Sequence, residues 1–98
     1  MSYRSIADIQ QSQNEFKKSV ANYIFSLSSR ENGVGFTLGN LASLLAKNEN
    51  TIDFSLFFLK KCFSFDPDYG EIILNNTYPY LFLKFDIDYI ENYLENKI

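Results

Sequence analysis

The sequence contains no histidine, no tryptophan and a single cysteine among its 98 residues. A nucleophilic cysteine normally needs a neighbouring base, so the absence of histidine argues against cysteine catalysis. A lone cysteine also excludes an internal disulfide. We therefore interpret Cys62 as a small buried hydrophobic residue.

Other signatures of chemistry and targeting are absent or incomplete. The segment Asp66-x-Asp68-x-Gly70 resembles the beginning of a calcium loop, but its glycine comes one place early and its twelfth position is Thr77. The amino-terminal stretch MSYRSIADIQQ lacks the apolar core of a signal peptide, and no run approaches about 18 apolar residues. The sequence predicts a cytoplasmic protein that is not an enzyme, with no catalytic residue, metal, cofactor or membrane association.

Aromatic residues, by contrast, are abundant, with ten phenylalanines and seven tyrosines. Hydrophobic residues make up 46% of the chain and charged residues 21%, which is the balance of a globular protein. Burying one phenylalanine contributes about 1.5–3 kcal/mol, so this composition can support an independent core. We predict a single domain over residues 1–98.

The charges are distributed unevenly. Residues 1–61 carry seven basic and five acidic side chains, whereas residues 62–98 carry two basic and seven acidic ones, and the net charge is −3. Phosphate repels an acidic protein unless its basic groups gather on one face. The charge pattern therefore favours a basic protein over nucleic acid as the partner.

Apolar residues recur at helical spacing through the first two thirds of the chain. This spacing predicts a first helix that begins at a Ser5 cap and fades by Arg30. A second helix is expected after a Thr37 cap, and a third after a Thr51 cap. The three helices would supply most of the core.

The remaining third of the chain has turn and strand signals. Pro67 and Gly70 predict a turn, since proline ends helices and glycine adopts left-handed conformations. Residues 71–74 and 78–85 then predict the two strands of a β-hairpin, followed by a last helix capped by Asp86. The predicted fold class is therefore α+β, with three helices, a hairpin and a C-terminal helix.

The third predicted helix, TIDFSLFFLKKCFSF at residues 51–65, contains five phenylalanines. At about 100° per residue, Phe54 and Phe58 extend an apolar arc of roughly 200° that we expect to be buried. Phe57 falls instead on the polar side with Asp53 and Lys60. It is the aromatic residue of this helix that burial does not explain.

The stretch FTLGNLASLLAKNENTIDFSLFFLKKC resembles the helix-turn-helix of the winged-helix superfamily, and the resemblance covers residues 15–85. It implies that residues 51–63 occupy the position of the recognition helix and residues 71–85 that of the wing. Recognition helices of DNA-binding members present polar side chains to base edges. The exposed side of this helix offers Asp53, Phe57, Lys60, Lys61 and Ser64. The predicted wing contains one basic residue, Lys84, so the electrostatic driving force for DNA binding is small.

We therefore predict a non-enzymatic protein-binding module that neutralises a basic partner such as a nuclease, in the manner of immunity proteins and phage-encoded inhibitors. The alternative is a winged-helix DNA-binding transcriptional regulator acting as a dimer. A homodimer sealed by the hairpin or the last helix is a third alternative. The predicted protein-binding residues are Asp53, Phe57, Lys60, Lys61, Asp66, Asp68, Tyr80 and Phe82.

Overall fold

The computed structural model describes residues 2–29 and 31–95, and over those residues it is built from α-helices. The helices are α1 (Tyr3–Ser12), α2 (Phe16–Ser28), α3 (Val34–Ala46), α4 (Ile52–Phe65), α5 (Pro67–Leu81) and α6 (Ile87–Glu95). Helices α3 and α4 pack side by side at the centre, and α1 and α2 form a hairpin on α3. Helix α5 packs on both central helices, and α6 packs on α4.

The predicted first helix is in fact two helices, and Ser5 is not its cap. Ser2 caps α1 by accepting a hydrogen bond from Ser5 N at 3.0 Å. After α1 the chain reverses at Asn14, whose φ of 61° lies in the left-handed region that asparagine tolerates. Buried Ser19 of α2 then donates to Ala7 O at 2.7 Å and fixes the hairpin. The polar residues Ser12 and Gln13, which interrupt the helical spacing of apolar residues, therefore mark the end of α1 and the turn.

A carboxylate distant in sequence completes the cap of α1. Glu31 accepts hydrogen bonds from Tyr3 N at 2.8 Å and from Arg4 N at 3.3 Å. Both bonds hold the pKa of Glu31 below its usual value because they stabilise the charged carboxylate, and the bond from Tyr3 has the largest effect. The predicted limit of the first helix, Arg30, lies outside the described residues.

Threonine caps were predicted for both central helices, α3 and α4. Helix α3 begins before the predicted Thr37 cap, with Gly33 at the N-cap and Thr37 buried inside the helix. The start of α4 after Thr51 is confirmed. The Thr51 hydroxyl makes no cap hydrogen bond, however, because it donates to Leu45 O at 2.9 Å. It therefore joins α3 to α4 across their connection.

The apolar core has two parts that meet at the half-buried Phe58 of α4. The smaller part lies between the α1–α2 hairpin and α3, and it contains Ala7, Tyr23, Leu41, Leu44 and Leu45. The larger part lies between α3, α4, α5 and α6, and it contains Ala42, Ala46, Ile52, Leu56, Leu59, Ile73, Leu74, Leu81 and Ile90. Helices α3 and α4 thus form the frame that positions every other element.

The predicted turn and β-hairpin are wrong, since residues 67–81 form the helix α5. Pro67 begins this helix, because a proline at the first helical position loses no hydrogen bond. Asp66 caps it by accepting from Tyr69 N at 3.1 Å. Gly70 lies inside the helix, where an added Cβ would be 2.8 Å from the Phe63 ring. Its small size therefore serves helix packing instead of a turn.

The residues that predicted strands occupy helical positions. The buried side of α5 carries Ile73, Leu74, Thr77 and Leu81. The Thr77 hydroxyl donates to Ile73 O at 2.9 Å, so it is satisfied within the helix. Pro79 lies near the end of the helix, and the carbonyl that it leaves without an N–H partner belongs to the exposed Asn75. Burial against α3 and α4 outweighs the local strand preference.

The α+β fold class and the winged-helix resemblance are therefore wrong. No strand occurs in the described residues, and residues 71–85, the predicted wing, form most of α5 and the link to α6. What produced the resemblance is the α3–α4 pair with its short polar connection, which two packed helices of any all-α protein can share. The fold is all-α.

The Asp86 cap of the last helix is confirmed. Asp86 accepts a hydrogen bond from Tyr89 N at 2.8 Å, and α6 follows. Ile90 is fully buried against the larger core. Within the described residues, no helix has the length and apolar character that a membrane span requires.

Candidate functional site

The outward side of α4 carries three exposed phenylalanines. Phe54, Phe57 and Phe65 are 59%, 45% and 64% exposed, because α4 contacts α3, α5 and α6 through its other sides. Three exposed aromatic rings on one side of one helix favour an interaction site, because aromatic residues are enriched at protein interfaces. We call the outward side of α4 and the charged residues beside it the α4 face, made of Asp53, Phe54, Phe57, Lys60, Lys61 and Phe65.

Two lysines of the α4 face lie against aromatic rings. Lys61 Nζ is 5.0 Å from the centroid of the Phe57 ring, and Lys60 Nζ is 5.6 Å from that of Tyr93 on α6. Ring faces attract cations, so these contacts hold the lysine side chains near the rings. Together with Ser64, these four residues line a shallow depression of about 350 Å³. The predicted patch around Phe57 thus extends onto α6.

Asp53 forms a salt bridge with Lys84, with 2.6 Å between Oδ1 and Nζ. Both side chains are exposed, so the pair contributes only about 0–1 kcal/mol to stability. Its larger effect is on charge, because Lys84 balances the carboxylate of Asp53. The pair therefore adds no net charge to the α4 face.

The other four predicted binding residues lie on α5 or beside its ends. Asp66 and Asp68 lie at its beginning, where the helix dipole favours carboxylates. Tyr80 and Phe82 lie at the opposite end of a helix about 22 Å long. Phe82 stacks on Tyr78, with 5.0 Å between the ring centroids. The predicted site is thus divided among the α4 face and the two ends of α5.

Tyr80 borders a wide depression of about 670 Å³ between α5 and the α3–α4 connection. Two of its lining residues are the basic side chains Lys47 and Lys84. Lys47 Nζ already donates to Gln11 Oε1 at 3.1 Å, and Lys84 pairs with Asp53. Both cations of this depression thus have partners within the chain.

A second groove separates α5 from α6, since both helices pack on α4 and not on each other over their described lengths. Its volume is about 390 Å³. We call it the acidic groove, and its lining residues are Phe63, Glu71, Leu74, Tyr78, Glu91, Leu94 and Glu95. Burial raises the pKa of Tyr78, and the negative charges of Glu91 and Glu71 raise it further. Both carboxylates therefore act on the same tyrosine hydroxyl.

The described residues contain no group of three or more side chains that could hold a metal ion. The surface chemistry is that of exposed rings, lysines and carboxylates. No protein-family model, curated protein or solved structure matches this chain. Its function is therefore inferred from its own surface.

Sequence reasoning missed two members of the α4 face. Phe54 was expected in the buried arc, and no exposed position was predicted for Phe65. A signal for both was present, because Lys61 lies seven residues after Phe54 and four before Phe65 and therefore shares their side of the helix. A lysine at the middle of an aromatic stripe indicates that the stripe faces water.

Proposed function

We propose that this chain is a cytoplasmic, non-enzymatic protein-binding module that engages its partner through the α4 face. The observation that carries the proposal is the exposure of Phe54, Phe57 and Phe65 on one side of one helix. Aromatic anchors surrounded by charged residues supply most of the binding energy in many protein interfaces. A helix with such a stripe can dock into a groove on another protein.

The partner that we propose is basic, such as a nuclease that the module neutralises. The net charge of −3 and the seven acidic residues after position 61 support this choice, because they attract a positively charged surface at long range. Carboxylates can occupy the phosphate-binding surface of a nuclease and block it. In this arrangement the α4 face anchors the complex and the carboxylates of α5 and α6 supply the electrostatic attraction.

We expect the combined change Phe54→Ser, Phe57→Ser and Phe65→Ser to weaken partner binding at least about tenfold while the fold is kept. None of the three rings belongs to either part of the apolar core, so the variant keeps the side chains that hold α4 in the fold. The measurement has two steps. Proteins that co-purify with the parent and not with the variant are identified, and the dissociation constant of the recombinant pair is then determined by calorimetry for both proteins.

The matched control is Tyr3→Ser with Phe25→Ser, which removes exposed aromatic rings from the α1–α2 hairpin. This control should bind like the parent. Equal binding by the α4 variant would refute the role of the α4 face. Retardation of a DNA duplex at low salt, lost on changing Lys60 and Lys61 to glutamine, would instead favour DNA binding.

A further inference from the structure

The acidic groove combines negative charge with apolar walls. Carboxylates stand on both sides of it, with Glu71 on α5 and Glu91 and Glu95 one turn apart on α6. None of the three makes a salt bridge within the described part of the chain, whereas Asp53 on the α4 face does. Three carboxylates therefore line one groove, and no cation among the described residues forms a salt bridge with them.

From this geometry we infer that the acidic groove holds an arginine side chain of the partner protein. The inference rests on the proposed function and names the chemistry by which the partner is recognised. The guanidinium would lie between Glu71 and the Glu91–Glu95 pair, and its aliphatic stem would lie along Leu74 and Leu94. Helix α6 contributes to both surfaces, since Glu91, Leu94 and Glu95 line the groove and Tyr93 lines the depression beside the α4 face.

Arginine suits the groove better than other cationic side chains. Its planar guanidinium presents five N–H donors, so it can bond carboxylates from two helices at once. It also packs flat on aromatic rings, and the groove contains Phe63 and Tyr78. The same carboxylates that raise the pKa of Tyr78 would be neutralised by the bound cation.

The test uses N-acetyl-argininamide as the probe and N-acetyl-citrullinamide as its uncharged analogue of the same shape. We expect the arginine probe to shift the backbone amide NMR signals of the groove residues saturably, in the millimolar range usual for so small a ligand. The citrulline probe should shift them at least about fivefold less. Glu71→Gln with Glu91→Gln should weaken binding of the arginine probe by about fivefold or more.

Glu15→Gln with Glu49→Gln is the control, because it changes the net charge equally and lies outside the groove. An equal loss in the control, or equal shifts by both probes, would overturn the inference. Absence of any saturable shift would overturn it as well. None of these results bears on partner capture by the α4 face, so failure of the arginine site and failure of the proposed function are separate outcomes.

Discussion

Replacing Gly39 with alanine is expected to lower the free energy of unfolding by about 2 kcal/mol, because α3 and α5 touch at this residue. The added Cβ would lie 2.7 Å from Cε2 of Tyr69 and 2.9 Å from Cγ1 of Ile73. Tyr69 is held in place, since its hydroxyl donates to Asn40 and its ring meets that of Phe36 edge-on at 4.6 Å. Urea unfolding followed by circular dichroism measures the change.

Whether Gly39→Ala lowers or raises stability distinguishes a steric clash between α3 and α5 from the effect of helix propensity. Helix propensity alone would make a change from glycine to alanine inside α3 stabilising by about 1 kcal/mol. Ser43→Ala, four residues further along the same helix, is the control and should be neutral or slightly stabilising. If Gly39→Ala proves as stable as the parent, then α3 and α5 do not approach as closely as the structure describes.

Gly39 also explains why the sequence could not predict α5. Gly70 and Pro79 favour turns or strand edges when taken alone, and the helix-start signal of Asp66 followed by Pro67 was interpreted as a turn. The helix is stabilised by contacts with residues about 30 positions earlier, which no local pattern encodes. Gly39 has no side chain, which allows α3 and α5 to approach closely. This role is evident only when both helices are known. Tertiary burial here overrides intrinsic preference.

The features that were predicted correctly depend on interactions between residues that are close in sequence. The Asp86 cap of α6 acts on backbone next to it, and α4 starts after Thr51 as predicted, although the Thr51 hydroxyl bonds Leu45 O instead of capping the helix. The exposed Phe57 was likewise identified by helical angle alone. The acidic groove could not be found in this way, because it is formed by α5 and α6 packing on α4, and α5 was not recognised as a helix.

Tyr23 gives the second large expected effect, a loss of stability at alkaline pH. The side chain is fully buried, and its hydroxyl donates to the Asp8 carboxylate and accepts from Gln11 Nε2 at 2.9 Å. Burial raises the pKa of Tyr23 far above its ordinary value, and the hydrogen bond and negative charge of Asp8 raise it further. Above about pH 10 the unfolded chain loses this proton and the folded chain keeps it. Stability should therefore fall by up to about 1.4 kcal/mol per pH unit.

Tyr23→Phe separates this contribution from those of the other ionisable groups. At pH 7 we expect the variant to be about 1–2 kcal/mol less stable than the parent, because two buried hydrogen bonds are lost. The deficit should shrink above about pH 10, vanish near about pH 11 and reverse by about pH 12, since phenylalanine has no proton to release. Tyr89→Phe, on an exposed ring, should change stability at pH 7 by less than about 0.5 kcal/mol. A Tyr23→Phe deficit that stays constant from pH 7 to 12 in denaturant titrations would mean that Tyr23 ionises equally in both states, against its burial beside Asp8.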